Sequence, residues 1–493
     1  MDKWMHPSYE ILFKVYVYSV KNPDEIMAGE IPEVKGSGPY TFTKNITNKV
    51  LSHENGVVKF KRYVSYVFNE TESCQTCILG NRIWIPNMIY QKFVEAASTT
   101  GMRAAATTLV SQTAFLEVEV GEFLFDGYKD PFLDKICEIP FMNFVCDSIL
   151  DVPDRIGIFV ETNNTNDGIY EISDGVENPD ELGKIYTWNG KKSVDFSWWS
   201  SLNARLIRGT EGMLFRPFLK KSDRIYIFIS QLCRWSSLNA RLIRGTEGML
   251  FRPFLKKSDR IYIFISQLCR SVWLEFHSEV NYEGVPAYRF VLPPEVLDPT
   301  IPENEGFCNP TDKKFFDSQN ETDYCFPKGL LEISRCQRSQ PPIMISLPNF
   351  NYAPDEVRES VKGLNKTDPE RDIILVDIEP AILRAQRRSQ VNIEMWKGRD
   401  IVFPVNMNKT RSSIIPALII HEDATIDEAT LNTIKYDLLQ TEWWAHAITM
   451  TMAGAGFLIL ILTIAFVVFK TYISRGPNTN TVSSLPAYEP RGN

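Results

Sequence analysis

The chain has 493 residues, 44% of them hydrophobic and 23% charged, a composition that supports a large packed core. Its formal charge of −8 excludes a partner held by basic excess, so no nucleic acid is expected. Each copy of an exact 36-residue tandem repeat is net +5, from seven basic and two acidic residues, so a single-copy chain would stand at −13.

From the N-terminus, "MDKWMHPSYEILFKVYVYSV" has no basic stretch leading into an apolar one, and no signal peptide is visible. Strand-type runs follow: "KVYVYSV", "GVVKFKRYVSYVF", "IGIFVET", "RIYIFIS", "VWLEFHSEV" and "AYRFVLP", rich in Val, Ile, Tyr and Phe and punctuated by Gly, Pro, Asn and Asp. Two stretches read as helix: Asn87 to Glu119, Ala- and Thr-rich and broken at Gly101, and Ile426 to Gln440, amphipathic. No linker splits residues 1–442, so one large domain is expected there.

The repeat runs from Trp199 to Arg234 and again from Trp235 to Arg270. Functional repeats rarely stay identical, and solenoids need several units. Cysteine parity agrees: nine is odd for a disulfide-bearing domain, and losing Cys233 or Cys269 leaves eight. Looping out 36 residues costs about 3 kcal/mol in closure entropy. Leaving one "IYIFI" without a sheet partner exposes five large side chains, at roughly 8–15 kcal/mol. A duplicated exon or a gene-model error fits better than a designed repeat, and any crossover within the unit restores the same chain.

Residues 443–469 contain no Asp, Glu, Lys or Arg. As a helix they extend roughly 40 Å, more than a hydrocarbon core of about 30 Å. Trp443 and Trp444 sit where an aromatic belt belongs, and Lys470 and Arg475 follow the span. That bias puts residues 470–493 in the cytosol and the large N-terminal part outside. Six sequons, at Asn45, Asn69, Asn163, Asn320, Asn365 and Asn408, point to a glycosylated outer surface. All nine cysteines precede the span without accompanying histidine pairs, which suggests disulfides rather than metal.

No catalytic set appears. His421-Glu422 opens "HEDAT", which lacks the second ligand of a zinc motif, and neither a nucleophile elbow nor a phosphate loop occurs. Asp377 and Glu379 of "DIEP" read as strand-end or turn residues. The expectation is a protein that is not an enzyme and uses no cofactor or metal.

Taken in order, "VKNPDEI" (20–26), "GPYTF" (38–42), "GYKDPFL" (127–133), "NNTNDGIY" (163–170), "RGTEGMLFRPF" (244–254), "LCRSVWLEFHSEVNYEGVPAYRFVLP" (268–293), "GLLEISRC" (329–336), "ISLPNFNYA" (345–353) and "DIEP" (377–380) resemble the class B scavenger receptors. That group includes the fatty-acid translocase and the lysosomal integral membrane proteins, and the likeness covers residues 8–472. It implies a β-rich α+β fold: a large irregular antiparallel β-barrel with a helical apex and an internal tunnel, plus a C-terminal transmembrane helix. It also implies an N-terminal membrane helix that this sequence does not display, as a truncated gene model would leave it. Among the cysteines, the resemblance pairs Cys269 (or Cys233) with Cys336, and Cys308 with Cys325. A third family bridge is missing at both ends, at Ala240 (or Ala204) and Gly306. Cys74, Cys77, Cys137 and Cys146 are additional and allow three pairings, of which the local one, Cys74–Cys77 with Cys137–Cys146, is expected.

The implied function is a plasma-membrane receptor, with its ectodomain outside, that binds fatty acids, sterols or lipoprotein-like particles and passes apolar ligand through the tunnel to the membrane. The alternative is a protein- or cell-binding receptor for engulfment or sorting, with protein ligands at the apex. Relatives' apical lysines are reduced here to Arg103, with Lys92 nearby. The candidate ligand-binding apex is Lys92, Phe93, Met102, Arg103, Leu109, Val110 and Phe115, with simple packing as the competing role for its apolar members.

Overall fold

The computed structural model describes residues 2–7, 10–96, 114–131, 133, 155–178, 181–193, 209–210, 256–308, 311, 313–317, 319, 325–337, 340–378, 382–396 and 409–474. Its contacts divide the chain into Met1–Asp427 and Glu428–Asn493. That division falls just past the last strand.

The first unit is built on strands: β1 (Glu10–Val20), β2 (Val34–Glu54), β3 (Val57–Phe68), β4 (Arg82–Pro86), β5 (Phe115–Glu119), β6 (Thr165–Ser173), β7 (Lys184–Trp188), β8 (Gly209–Thr210), β9 (Ile261–Ile265), β10 (Arg270–Tyr282), β11 (Val285–Val291), β12 (Leu330–Glu332), β13 (Ile343–Ser346), β14 (Leu375–Ile378), β15 (Ile382–Met395) and β16 (Ser413–Thr425). Fourteen of them form one sheet in the order β8-β7-β6-β3-β2-β1-β16-β15-β14-β11-β10-β9, with β13 also on β15 and β12 on β13; β4 and β5 pair separately. Every named pairing is antiparallel. The hydrogen-bonded path is open among the described residues, so the sheet is large and antiparallel, and the closed barrel expected from the resemblance is not seen.

Local chemistry explains the strands. In β1 the residues Ile11, Phe13, Val15 and Val17 recur with period two and are all buried. The β2–β3 hairpin turns at Asn55-Gly56, both at positive φ, the backbone a two-residue hairpin requires. Between Val15 and Val17 the β1–β2 register shifts, and Gly38 packs onto that bulge. A Cβ there would lie 2.9 Å from the Tyr16 Cα. Residues 413–420 of β16 are buried without interruption, as a strand covered on both faces must be. Pro416 sits within that run where the β15–β16 register shifts.

The repeat resolves in an instructive way. β8 takes Gly209 and Thr210 from the first copy, whereas β9 takes "IYIFI" from the second and pairs with β10. Residues 199–208 and 211–255 fall outside the described residues. Among the described residues, the sheet draws on the first copy at β8 and on the second at β9.

Two helical or strand readings need correction. Met88–Ala96 is a helix (α1 here), but Phe115–Glu119 is strand β5, not helix, because it pairs in register with Arg82–Pro86. "IGIFVET" is not a strand. Ile158 and Phe159 donate backbone hydrogen bonds to Phe123 and Leu124 of the π-helix Glu122–Asp126 (2.9 and 2.8 Å), folding the segment over it. Gly157 allows this approach, since a Cβ would meet the Glu122 carbonyl at 2.9 Å.

In the second unit, a helical turn at Glu428–Asn432 and a π-helical stretch at Thr433–Leu439 precede a 35-residue helix, Gln440–Ser474. Trp443–Ser474 is long and apolar enough to cross a membrane. Thr449, Thr463 and Thr471 within it bond back to carbonyls four residues earlier, which satisfies hydroxyls where lipid offers no partner.

Candidate functional site: an apolar chamber with a charged row

The interior face of the sheet forms a cavity of about 360 Å³. Its wall is mostly aliphatic. Ile343 and Ile345 of β13, Val391 of β15 and Ile420 of β16 contribute from the sheet, and Ile89 contributes from α1. The 156–162 segment covers part of it, with Phe159 packed edge-on to Phe13 at 5.5 Å. The strand misread from sequence is thus a piece of chamber wall.

One row of this wall is charged. Register places Arg387 opposite Glu422, while Lys44 lies opposite Tyr66 and two pairs along from Phe42. The Lys44 Nζ donates to Glu422 Oε1 at 2.7 Å, and Arg387 Nη1 stands 3.9 Å from Glu422 Oε2. Burial works against the Lys44 ammonium, but Glu422 and then Tyr66 outweigh it and raise its pKa. Burial likewise opposes the Glu422 carboxylate, and Lys44 and Arg387 more than compensate, leaving its pKa below the usual range. Burial pushes the Tyr66 phenol up, against the pull of Lys44. Two cations thus share one carboxylate, and the row keeps a net positive charge. The next residues along the same strands form a second polar cluster. There Arg388 Nη2 donates to Asp423 at 2.7 Å, and His421 lies against Tyr16, with ring centroids 4.9 Å apart. Burial and then Arg388 pull the His421 pKa down to about 4.

The sequence-level site residues scatter. Lys92, on α1, lines the chamber and donates to the Gln340 carbonyl at 3.3 Å. Phe115 is not at an exposed apex: it is 1% exposed in the core, so packing is its role. The Phe93 side chain, Met102, Arg103, Leu109 and Val110 lie outside the described residues. Cys74 and Cys77 are bridged, with Cα atoms 5.0 Å apart, as are Cys308 and Cys325 at 5.4 Å. Cys269 is disulfide-bonded; the Cys336 side chain, Cys137 and Cys146 lie outside the described residues. Asn45, Asn163 and Asn365 are exposed and Asn69 is half-buried, while Asn320 and Asn408 lie outside. Asp377 of "DIEP" takes a bidentate ion pair from Arg289 on β11 (2.7 and 2.8 Å), and Glu379 lies outside. No group of three or more His, Cys, Asp or Glu placed to hold a metal occurs among the described residues.

Sequence reasoning missed Lys44, Arg387 and Glu422. A signal existed for the first: in "YTFTK", period two puts Lys44 on the same face as the core residue Phe42. Nothing in the sequence aligned β15 with β16.

Comparison with known proteins identifies the architecture. The model of the CD36 family matches residues 1–242 and again 235–467, with the overlap inside the repeated segment. Lysosome membrane protein 2 of Rattus norvegicus is 30% identical over 481 residues, covering 96% of this chain and 85% of that protein. The Homo sapiens protein of the same name is 27% identical over 480 residues, with 96% and 85% covered. Scavenger receptor class B member 1 of Cricetulus griseus is 25% identical over 477 residues, with 94% and 80% covered. With the large antiparallel sheet, the disulfides and the apolar C-terminal helix, these matches make the chain a membrane protein of the CD36 family.

Proposed function

We propose that this protein is a scavenger-type receptor of the plasma membrane that takes a lipid, a fatty acid or a sterol, into the chamber and passes it to the bilayer. The observation that carries the reading is the chamber itself. A volume of about 360 Å³ lies within the range of small-molecule sites, and its wall is apolar apart from a few convergent charged groups. Binding is then by partition, at roughly 25 cal/mol per Å² of apolar ligand surface removed from water. Lys44 and Arg387 complement a monoanionic head, and the aliphatic wall takes the chain or ring.

The chamber's layout suits a long ligand. Gln91 of α1 donates to the Trp396 carbonyl at 2.6 Å, so α1 sits at the C-terminal end of β15, whereas Arg387 lies nine residues earlier. Along a strand that is roughly 30 Å. The sequons and disulfides suit an extracellular ectodomain. The relatives named lysosome membrane protein 2 make the lysosomal membrane the other location to test, by imaging a tagged chain.

The full-length chain, purified in detergent and analysed by native mass spectrometry with lipid extraction, is expected to carry lipid. Cells expressing it are expected to take up fluorescent fatty acid or sterol. An Ile420→Trp variant, which narrows the chamber, is expected to lower both at least tenfold. A chain that carries no lipid and drives no uptake overturns the reading.

A further inference from the structure

Next to the chamber lies a second, much smaller cavity of about 30 Å³, lined by Arg270, Asn304, Phe307, Asp298 and Glu332 among others. Arg270 opens β10 directly after Cys269 and is 1% exposed. Its guanidinium bonds only neutral oxygens. Nε donates to the Ser271 carbonyl at 3.3 Å, and Nη2 donates to the Val296 carbonyl at 3.4 Å and to Asn304 Oδ1 at 3.1 Å. One face lies 3.7 Å from the centroid of the Phe307 ring. Among the described residues no carboxylate pairs with it, and none of its hydrogen bonds uses Nη1. Burial pulls its pKa down to about 9, which still leaves it protonated at neutral pH.

A buried cation without a counter-charge is costly, by several kcal/mol even after relaxation. Neither of the two carboxyl groups at the cavity forms an ion pair with Arg270. Asp298 Oδ1 accepts from the backbone N–H and the hydroxyl of Thr300, at 2.9 and 2.6 Å. Glu332 is pushed up to about 7 by burial and then by Glu394, with Lys313 and Arg335 opposing, so near neutrality it carries only part of a charge. Asn304 is held in place as an orienting group, its Nδ2 donating to the Glu295 and Asp298 carbonyls at 2.6 and 2.9 Å.

We propose that this cavity is a binding site for one monatomic monovalent anion, chloride in the physiological setting, held by the Arg270 guanidinium. Size selects the class. About 30 Å³ matches the share of one water molecule in the liquid, too little for a phosphate or a carboxylate-bearing metabolite. Charge selects against water, which leaves the cation uncompensated. The site shares a wall with the lipid chamber, because Val296, Leu297 and Leu331 line both cavities. Its ion therefore braces the chamber wall from behind, whatever the chamber carries.

The test is thermal unfolding of the full-length chain in detergent, in sodium chloride against sodium gluconate at equal ionic strength. Chloride is expected to raise the Tm saturably, by about 2 °C or more, and Arg270→Met to abolish the difference. Where that variant does not fold, crystals of the unaltered protein grown in bromide are expected to show an anomalous peak beside Arg270 Nη1. Equal Tm in the two salts, or bromide-grown crystals without that peak, overturns the proposal. Neither readout involves lipid, so failure of the lipid reading leaves this one standing.

Discussion

The two cavities share a wall and have opposite logics. In one row of the chamber wall, two cations share one carboxylate within a broad aliphatic surface, and the charge is a minor part of the lining. In the small cavity, one cation has no ion-pair partner among the described residues, and charge decides the occupant. The difference teaches how one sheet serves two ligand classes. Area selects the greasy cargo, and an unmet charge selects the ion. Leu331, 5% exposed, stands between the two.

Breaking that partition should give the largest effect. Leu331→Ala is expected to destabilise the fold by about 2–5 kcal/mol, the usual cost of emptying a buried leucine site. The readout is the denaturant midpoint of the detergent-solubilised chain. The same variant should make the chloride response depend on lipid loading. A midpoint change under 1 kcal/mol would mean the wall collapses to fill the gap.

Proton linkage sharpens the contrast next. The folded Glu332 has its pKa raised from 4.5 to about 7, so the native state holds that proton more tightly than the unfolded chain. This contribution is full below pH 4.5 and is lost as the pH rises to about 7. Lys313, which donates to Glu394 at 2.8 Å, and Arg335 limit the shift. His421 runs the other way: its pKa is lowered from 6.5 to about 4, so stability falls as the pH drops through that window. Glu332→Gln is expected to flatten the first slope and to stabilise the protein above pH 7 by about 1–3 kcal/mol. His421→Gln is expected to remove the second. Urea titrations at pH 4.5, 6 and 7.5 separate the two. An unchanged slope in Glu332→Gln would show that Glu332 titrates normally.

A smaller effect tests the chamber's charged row. Glu422→Gln leaves Lys44 and Arg387 without their shared carboxylate. Binding of a fluorescent fatty acid is expected to tighten by about tenfold, equivalent to about 1.4 kcal/mol, while the matching fatty alcohol is unaffected. An equal gain for the alcohol would remove the headgroup role from this row.

Legibility from sequence followed the range of the forces involved. The strands were visible because period-two burial is written locally, as in β1, and the membrane helix because its apolar run has no interruption. β5 was misread because "FLEVE" follows an Ala-rich helix-like stretch, and only its pairing with Arg82–Pro86 decides its state. The 156–162 segment has strand composition, yet its hydrogen bonds go to a π-helix. The site depended on registers that no local signal carries. Lys44 and Glu422 are 378 residues apart, and Arg270 looks like any strand-start arginine until Val296 and Asn304 enclose it.

The duplicated segment gives the smallest predicted effect and tests both cavities at once. Ile265, Gln267 and Leu268 of the chamber, and Arg270 of the small cavity, all come from the second copy. Deleting residues 211–246 joins Thr210 to Glu247 and restores a single unit, with β8 and β9 keeping the residues they use. The connection between those strands shortens from 50 residues to 14. Closure entropy then favours the deleted form by about 1 kcal/mol. It also removes one of the two "IYIFI" runs, an apolar sequence of the kind that promotes edge-to-edge aggregation. The deleted chain is expected to show the same lipid loading and the same chloride response, with a slightly higher Tm and a larger monodisperse fraction on size exclusion. Loss of either ligand response would mean that residues 211–246 contribute to a cavity, and that the repeat is part of the working receptor.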